Sequence, residues 1–371
     1  MAAAILTPST GDIDRAIAEL SRDPADATGG AVIREAGLAA LPVLADRLTA
    51  DAPIEVVERF EAILKAVLLE GLADGVSGAT AREVARFQQQ VGFLLKYKSY
   101  AVKCATPLGY SVFFQRPGEG FSFQRHVTRK TEVFHILDVL PGGYAFVCRY
   151  DDWARTYEPA AFAAWLAGSA DPRYDAFRFE VRPGDVFVID QLNVVHTVIG
   201  CVLEEFATVS TDMVDRLHDQ NAGHPIPATF DRRYAVERLE ALAYPPGTRR
   251  LDLGGPASRA APIEPVAIRG GRLLPLADSF VVASRYLLYA GGTTDVMHDD
   301  ERAAMLHVTA GRGRIVIADR DEIALDTPPS LPARKADVLL VAPGLSYAFV
   351  NDGPGPFELS EHRIALEAAL T

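Results

Sequence analysis

The strongest constraint on the fold comes from residues 100 to about 210, where short runs of β-branched and aromatic residues alternate with turns rich in proline and glycine. One helical segment, over about 159–167, interrupts the series. Because many short strands follow one another without alternating helices, the pattern predicts an antiparallel barrel or jelly roll. The predicted strands cover residues 110–114, 121–123, 133–137, 144–147, 177–181, 186–189, 194–199 and 205–209.

Residues 1 to about 95 have a different pattern, with apolar side chains at helical spacing. The first predicted helix follows Asp12, and others cover residues 31–48 and 54–72. A fourth begins at Thr80 or Ala81 and runs to Leu95. We expect these apolar stripes to pack on one another or on the next domain, since an amphipathic helix buries its apolar face.

A second β-rich block, from about 279 to 366, repeats part of the first. The segment 182–196 contains a Pro-Gly-Asp turn, an apolar strand and His196, and resembles the segment 335–347, which ends at Tyr347. This similarity indicates an internal duplication of one barrel type. The predicted regions are a helical N-terminal region (1–97), a first barrel (98–230), a helix with a Pro/Gly-rich connector (231–265) and a second barrel (266–371).

Composition excludes several classes of partner. The chain has 371 residues, of which 49% are hydrophobic and 23% charged, as in globular proteins. Its formal net charge of −12 argues against nucleic acid and anionic membranes as partners. No signal peptide and no long apolar span is visible, so the cytoplasm is the expected location. The cysteines at 104, 148 and 201 lie too far apart for a zinc ligand set or a disulfide framework.

The residues with the clearest chemistry lie in the segment 121–135, which contains Gln124, His126 and Glu132, and His196 follows much later in the chain. Side chains of this kind form a mixed nitrogen and oxygen ligand set for zinc, iron, manganese or nickel. On a strand, Gln124 and His126 point to the same face. Taken singly, each residue could instead be a core or surface side chain. His135, three residues after Glu132, is expected to face away from it.

The phrases FSFQRH and RKTEVFHILDVLPGG resemble the metal-binding motifs of type I phosphomannose isomerases, and RPGDVFVIDQLNVVHTVIG resembles the strand that carries their last ligand. The segment 210–219 is similar to their active-site arginine segment. The resemblance covers about residues 108–350 and implies a mainly β protein with two cupin (jelly-roll) domains. By this match Gln124, His126, Glu132 and His196 bind the metal and Arg216 is catalytic.

The same resemblance implies a metal-dependent aldose–ketose isomerase that acts on an anionic sugar phosphate or a related hydroxy-carbonyl metabolite. Zinc is the expected metal, with iron or manganese as alternatives. Lys130 is predicted to orient the anionic substrate or to transfer a proton. His218, Asp212 and Glu205 are candidates for the general base by position alone.

The chain also departs from the family. Only five residues separate His126 from Glu132, where the family usually has a long loop, and Val127 replaces a proline. The second block has Tyr347 where the first has His196, so we expect no metal there. Two other classes of function are therefore kept open: another metal-cupin enzyme (an iron-dependent oxygenase, an epimerase or a lyase), and a non-enzymatic sugar-binding or regulatory cupin. The oligomeric state stays open too.

Overall fold

A computed structural model describes residues 8–23, 27–47, 54–73, 75–98, 100–209, 214–222, 232–253 and 259–366. Its helices are α1 Thr10–Arg22, α2 Ala27–Ala36, α3 Leu41–Arg47, α4 Ile54–Ala73, α5 Gly78–Val91, α6 Tyr150–Thr156, α7 Pro159–Leu166, α8 Pro172–Asp175 and α9 Arg232–Ala241. The first eleven strands are β1 Leu94–Tyr97, β2 Ala101–Ala105, β3 Tyr110–Gln115, β4 Phe123–His126, β5 Glu132–Arg149, β6 Arg178–Phe179, β7 Asp185–Ile189, β8 Val194–Ala207, β9 Val214–His218, β10 Arg249–Asp252 and β11 Arg259–Pro262. The others are β12 Val266–Ile268, β13 Gly271–Asp278, β14 Val281–Leu288, β15 Met297–His298, β16 Arg302–Ala310, β17 Arg312–Ala318, β18 Ser330–Arg334, β19 Val338–Val341, β20 Ser346–Val350 and β21 Phe357–Ala365.

The N-terminal region is helical, but several predicted boundaries are wrong. α1 begins at Thr10 with Ser9 as its N-cap, before Asp12, and α5 begins at Gly78. Two further boundaries differ at glycines. The helix predicted over 31–48 is divided into α2 and α3 by a 3₁₀ turn that begins at Gly37, whose φ is +56°. Gly92, with a φ of +62°, ends α5, so Leu94 and Leu95 lie in β1 instead of the fourth helix. In both places a glycine adopts a left-handed conformation that other residues rarely take, and the helix cannot continue through it.

The first barrel is larger than the predicted region 98–230. Its eleven-stranded sheet has the order β1-β2-β3-β8-β5-β7-β10-β11, with β4 paired to β8 and β9, and β6 paired to β5. β1 comes from the predicted helical region, and β10 and β11 come from the predicted connector. Strands β7 and β10 run parallel, so this segment extends the sheet edge, where the connector had been expected to be irregular.

The second barrel consists of a six-stranded sheet, β12-β13-β14-β21-β16-β19, and a four-stranded sheet, β15-β20-β17-β18. The whole is therefore a mainly β fold with two barrels and a helical N-terminal region, as the sequence predicted. None of the helices in the described ranges is long and apolar enough to cross a membrane.

Helices α1–α5 share one hydrophobic core with the outer face of the first barrel and with the second barrel. This core includes Leu68 of α4, Val84 of α5, Val112 of β3 and Leu306 of β16. Helix α5 is also held to the second barrel by polar contacts, since Arg82 donates two hydrogen bonds to Glu322 at 2.7 and 3.0 Å. The interior of the first barrel has a separate core, which surrounds the candidate site.

A buried polar cluster joins the two barrels. Glu204 of β8, which is completely buried, accepts hydrogen bonds from Tyr110 (2.5 Å), Tyr244 (2.8 Å) and Ser360 (2.8 Å). His135 lies 2.9 Å from its second carboxylate oxygen. Burial opposes the charge on Glu204, but the hydrogen bonds and charges around it outweigh burial and lower its pKa to about 2.

His307 belongs to this cluster, with its Nδ1 atom 2.8 Å from the Tyr110 hydroxyl, and its pKa is lowered to about 4 by burial. A histidine in the unfolded chain binds a proton near pH 6.5, whereas folded His307 resists protonation down to its lowered pKa. The free energy of unfolding should therefore fall as pH decreases from about 6.5 to about 4. Glu204 also lowers the free energy of unfolding as pH decreases below about 4.5, because its carboxyl group binds a proton at a higher pH in the unfolded chain than in the folded one.

The His307→Gln variant keeps a polar side chain that cannot titrate. Between pH 7 and pH 4.5, we expect its free energy of unfolding to fall by about 2–3 kcal/mol less than that of the wild type. Urea unfolding at the two pH values measures this difference. Equal losses in the two proteins would contradict the assignment of the acid sensitivity to His307.

Candidate metal centre

Three strands bring the predicted ligands together. His126 ends β4, Glu132 begins β5 after a five-residue loop, and His196 lies near the start of β8. β8 lies between the other two, because it is hydrogen-bonded to both β4 and β5. Residues far apart in sequence therefore meet inside the first barrel.

The ligand atoms of these three residues converge. Glu132 Oε2 lies 3.4 Å from His126 Nε2 and 3.1 Å from His196 Nε2, and all three ligand atoms lie within 4.8 Å of one another. Two ligands placed about 2.1 Å from one ion, at angles of 90–110°, would be about 3.0–3.4 Å apart. All three side chains are buried, with exposed fractions of 0% for His126, 2% for Glu132 and 1% for His196. The spacing and the burial fit a single cation.

Hydrogen bonding provides a second test of this fit. The Nδ1 atom of His196 lies 3.1 Å from the carbonyl oxygen of Val194, which can only accept, so Nδ1 carries the proton. In a neutral imidazole Nε2 then presents a lone pair to the carboxylate oxygen of Glu132. Four buried atoms at the centre have no hydrogen-bond partner among the described residues: His196 Nε2, Glu132 Oε2, and both ring nitrogens of His126. A divalent cation satisfies these facing acceptors, and a backbone contact of this kind orients a metal-binding histidine.

Lys130 contacts the opposite side of the same carboxylate. Its Nζ atom pairs with Glu132 Oε1, which leaves Oε2 directed at the two imidazoles. Burial alone would raise the pKa of Glu132, but the positive charge of Lys130 is the largest of the effects that outweigh burial and hold that pKa well below its usual range. Glu132 is thus kept ionised and oriented, as a metal ligand must be.

Gln124 and Arg216 lie on the strands beside His196. Gln124 is paired in register with His196 on one side and with Arg216 on the other. Residues directly opposite each other on neighbouring strands project from the same face of the sheet, so both belong to the face that carries the ligands. The Arg216 side chain is exposed. Gln124 as a fourth ligand and Arg216 as a catalytic residue remain predictions.

Two charged residues in the barrel interior complete the surroundings. Glu205 of β8 is paired with Phe134 and Ser111, and Lys103 of β2 is paired with Phe113. Phe134 and Phe113 belong to the interior core, so their partners also face inward. Glu205 is a diagonal neighbour of Glu132, since Glu132 is paired with Ala207, and such neighbours lie roughly 7–8 Å apart.

Sequence analysis named Glu205 by position alone and did not name Lys103. The sequence signal for Lys103 is its position in the middle of the apolar segment AVKCA. A lysine is rarely buried on a strand unless its charge is paired. Its Nζ atom lies 4.9 Å from the centre of the Phe113 ring. Burial lowers the pKa of Lys103. Burial raises the pKa of Glu205, and the positive charge of Lys103 partly offsets that effect.

The other candidates for the general base are not at the site. His218 is paired with Phe123 and packs in an aromatic cluster on the other face of the sheet, where the Tyr157 hydroxyl lies 3.2 Å from its Nδ1 atom. Asp212 lies outside the described residues. His135 faces away from Glu132, as expected, and contacts Glu204 in the cluster between the barrels.

The second barrel has the corresponding strands without the ligands. Its β15 and β20 pair Met297 with Tyr347, as β4 and β8 pair Gln124 with His196. The Tyr347 hydroxyl donates to buried Glu361 at 2.5 Å, and Tyr286 donates to the same carboxylate at 3.1 Å. Among the described residues, His126, Glu132 and His196 are the one group of histidine, cysteine and acidic side chains that could hold a metal ion.

No protein-family model and no curated protein sequence matches this chain. Among solved structures, it is similar to oxalate decarboxylase from Bacillus subtilis, with 13% identity and a TM-score of 0.42 over 74% of this chain and 76% of that chain. Similarity to the Lactobacillus farciminis oxalate decarboxylase gives 10% identity and a TM-score of 0.44 over 74% and 84% of the two chains. A predicted oxalate decarboxylase from Thermotoga maritima covers 28% of this chain and 90% of its own, with 17% identity and a TM-score of 0.23.

Identities this low say nothing about the reaction. The comparisons do not support the narrower resemblance to phosphomannose isomerases, which therefore remains a proposal.

Proposed function

We propose that this chain is a metal-dependent isomerase that interconverts the aldose and ketose forms of a sugar phosphate or a related hydroxy-carbonyl metabolite. The observation that carries the proposal is the inward-facing carboxyl group of Glu205 beside the candidate metal centre. Isomerisation removes a proton from the carbon next to a carbonyl group and returns a proton to the neighbouring carbon. It therefore needs a group that can exchange a proton within the site, while a metal can polarise the substrate oxygens.

His126, Glu132 and His196 would hold the ion, with Gln124 as the fourth ligand. Zinc fits this mixed ligand set, and iron or manganese fit it as well. A bound divalent ion supplies Lewis-acid polarisation of the substrate oxygens. Lys130 keeps the Glu132 carboxylate in place and adds positive charge at the site.

Glu205 is the group best placed to move the proton. One of its carboxylate oxygens accepts the proton from the carbon beside the carbonyl group and returns it to the neighbouring carbon. Burial raises the pKa of this carboxyl group, which brings it closer to the range in which a general base works efficiently near neutral pH. The nearby Lys103 limits the shift, so the carboxylate form stays accessible.

The positive charges around the centre support an anionic substrate. Lys130 contacts Glu132, Lys103 lies in the barrel interior, and Arg216 is exposed on the sheet face that carries the ligands. The guanidinium group of Arg216 can form a fork of hydrogen bonds to a phosphate or to enediolate oxygens. An epimerase is the second candidate, because it also needs a base beside the carbonyl group but returns the proton to the same carbon.

The test is an NMR assay of the purified, metal-loaded chain with aldose phosphates in D₂O, beginning with mannose 6-phosphate. We expect a ketose product and deuterium at the carbon that accepts the returned proton. Deuterium exchange with inversion, but without a ketose, would favour the epimerase. If no aldose phosphate gave either a ketose product or deuterium exchange, both candidates would be contradicted.

Replacement of Arg216 by alanine should lower turnover by about 10²-fold or more, since it removes a charge that stabilises the transition state. Melting temperature and metal content should change little, because the side chain is exposed. Arg216→Lys should recover only part of the activity, as lysine keeps the charge and loses the fork. Arg125→Ala is the matched control, because Arg125 pairs with Asp215 on the other face of the same strands. Equal turnover in Arg216→Ala and wild type would contradict the role.

A further inference from the structure

A groove of about 820 Å³ lies between helix α5 and the second barrel, away from the candidate metal centre. One wall is α5, which contributes Arg86, and the other is the hairpin β17–β18. The walls are held together, because Gln89 Nε2 donates to the Pro332 carbonyl oxygen at 2.9 Å and to Asp337 at 2.6 Å. The groove is therefore a built feature of the interface between the helical region and the barrel.

Arginines dominate its lining. Four of them, Arg86, Arg312, Arg314 and Arg334, face two aspartates, a formal excess of two positive charges. The protein as a whole carries −12, so a local excess of this sign is unusual in this chain.

The strand register concentrates these charges. Arg312 of β17 is directly opposite Arg334 of β18, and like charges in that position destabilise a sheet. Arg314, two residues after Arg312, projects from the same face.

The two acidic residues of the groove do not neutralise this arrangement. Asp352 is engaged by Arg314, at 2.5 and 3.2 Å. Asp337 accepts from Gln89 and from the backbone nitrogen of Arg334, and its contact with the Arg334 guanidinium is 4.0 Å long. Arg86 and Arg312 are both exposed, and their guanidinium groups make no hydrogen bond or ion pair with the described residues. The positive charges of these guanidinium groups are therefore free to bind an anion.

We propose that this groove is a second ligand site, which binds a small anion with more than one phosphate-type group. Guanidinium groups match the geometry of phosphate oxygens and bind them through paired, charge-assisted hydrogen bonds. The volume is that of a small-molecule site. A multivalent anion bridges Arg86 on the helix and the Arg312–Arg334 pair on the hairpin, and so relieves the repulsion within the pair. The site is independent of the chemistry proposed for the first barrel.

The experiment is isothermal titration of the full chain with pyrophosphate at constant ionic strength. Wild type should bind it, and Arg86→Ala and Arg312→Ala should each weaken binding by about 10-fold or more. Arg272→Ala, which removes an exposed arginine from β13 outside the groove, is the matched control and should bind like wild type. Removal of Arg312 also relieves the like-charge pair, so its melting temperature without ligand should not fall.

A variant of the metal centre separates the two sites. His126→Ala should keep its affinity for pyrophosphate if the anion binds in the groove. The proposal is overturned if wild type does not bind pyrophosphate, if the groove variants bind as wild type does, or if Arg272→Ala weakens binding equally. Loss of binding in His126→Ala, with binding intact in the groove variants, would also overturn it, because it would place the anion in the first barrel.

Discussion

The Glu132→Gln variant is expected to lose its metal. Protein purified without added metal should contain about one equivalent of a divalent ion, and the variant less than about a tenth of that. Glutamine has nearly the same shape, but it removes the negative charge that faces two imidazole nitrogens at 3.1 and 3.4 Å and that Lys130 holds in place. Elemental analysis of the two purified proteins measures the difference and identifies the metal as zinc, iron or manganese.

The control for this experiment is His298→Ala. His298 lies in β15 of the second barrel, where it contacts Asp300 at 2.9 Å and does not belong to the candidate centre. We expect it to retain the full metal content. A wild type that neither contains metal nor gains thermal stability when metal is added would contradict the centre itself, and with it the proposed enzyme.

Glu205→Gln should lower turnover by about 10²–10⁴-fold while metal content stays that of the wild type. The amide cannot accept the proton from carbon, but it preserves the size of the buried side chain, whose exposed fraction is 8%. Turnover of the substrate identified by the NMR assay, together with elemental analysis, separates this effect from metal loss. An unchanged turnover would exclude Glu205 as the general base.

A second variant tests the same role through pH. Lys103→Met removes a positive charge that lowers the pKa of Glu205. The carboxyl group should then hold its proton to a higher pH, and since the base must be ionised to act, the acidic limb of the pH–rate profile should move to higher pH. A limb that stays in place, or moves to lower pH, would show that a different group controls it.

The anion groove has a consequence for how the helical region is understood. The sequence predicted that the helices of residues 1–97 pack their apolar faces on one another or on the next domain. Helices α4 and α5 do share a core with both barrels. α5 also carries Arg82, Gln89 and Arg86, which face the second barrel. A bound anion would therefore link the helical region to the barrel that lacks a metal site. On this proposal, the second barrel would have a binding role of its own.

Local patterns determined much of this protein. Runs of β-branched residues between Pro/Gly turns are sufficient to predict a barrel, because strand alternation and turn chemistry act over a few residues. The alternation on β5 is also sufficient to place His135 away from Glu132. The motif around Gln124, His126, Glu132 and His196 named residues of which three prove to lie together.

Other features depended on contacts between distant segments, which only the tertiary structure decided. Strands β10 and β11 form where the sequence indicated a connector, since an unpaired edge of the first sheet was available to them. His218 and Glu205 looked alike as candidate bases, and only the register of β9 and β8 put the first against Phe162 and the second inside the barrel. Likewise, Arg312 and Arg334 are far apart in sequence, and only the pairing of β17 with β18 places their like charges opposite each other. Side-chain periodicity is a local property, whereas the face on which two strands meet is set by which strands pair and in which register.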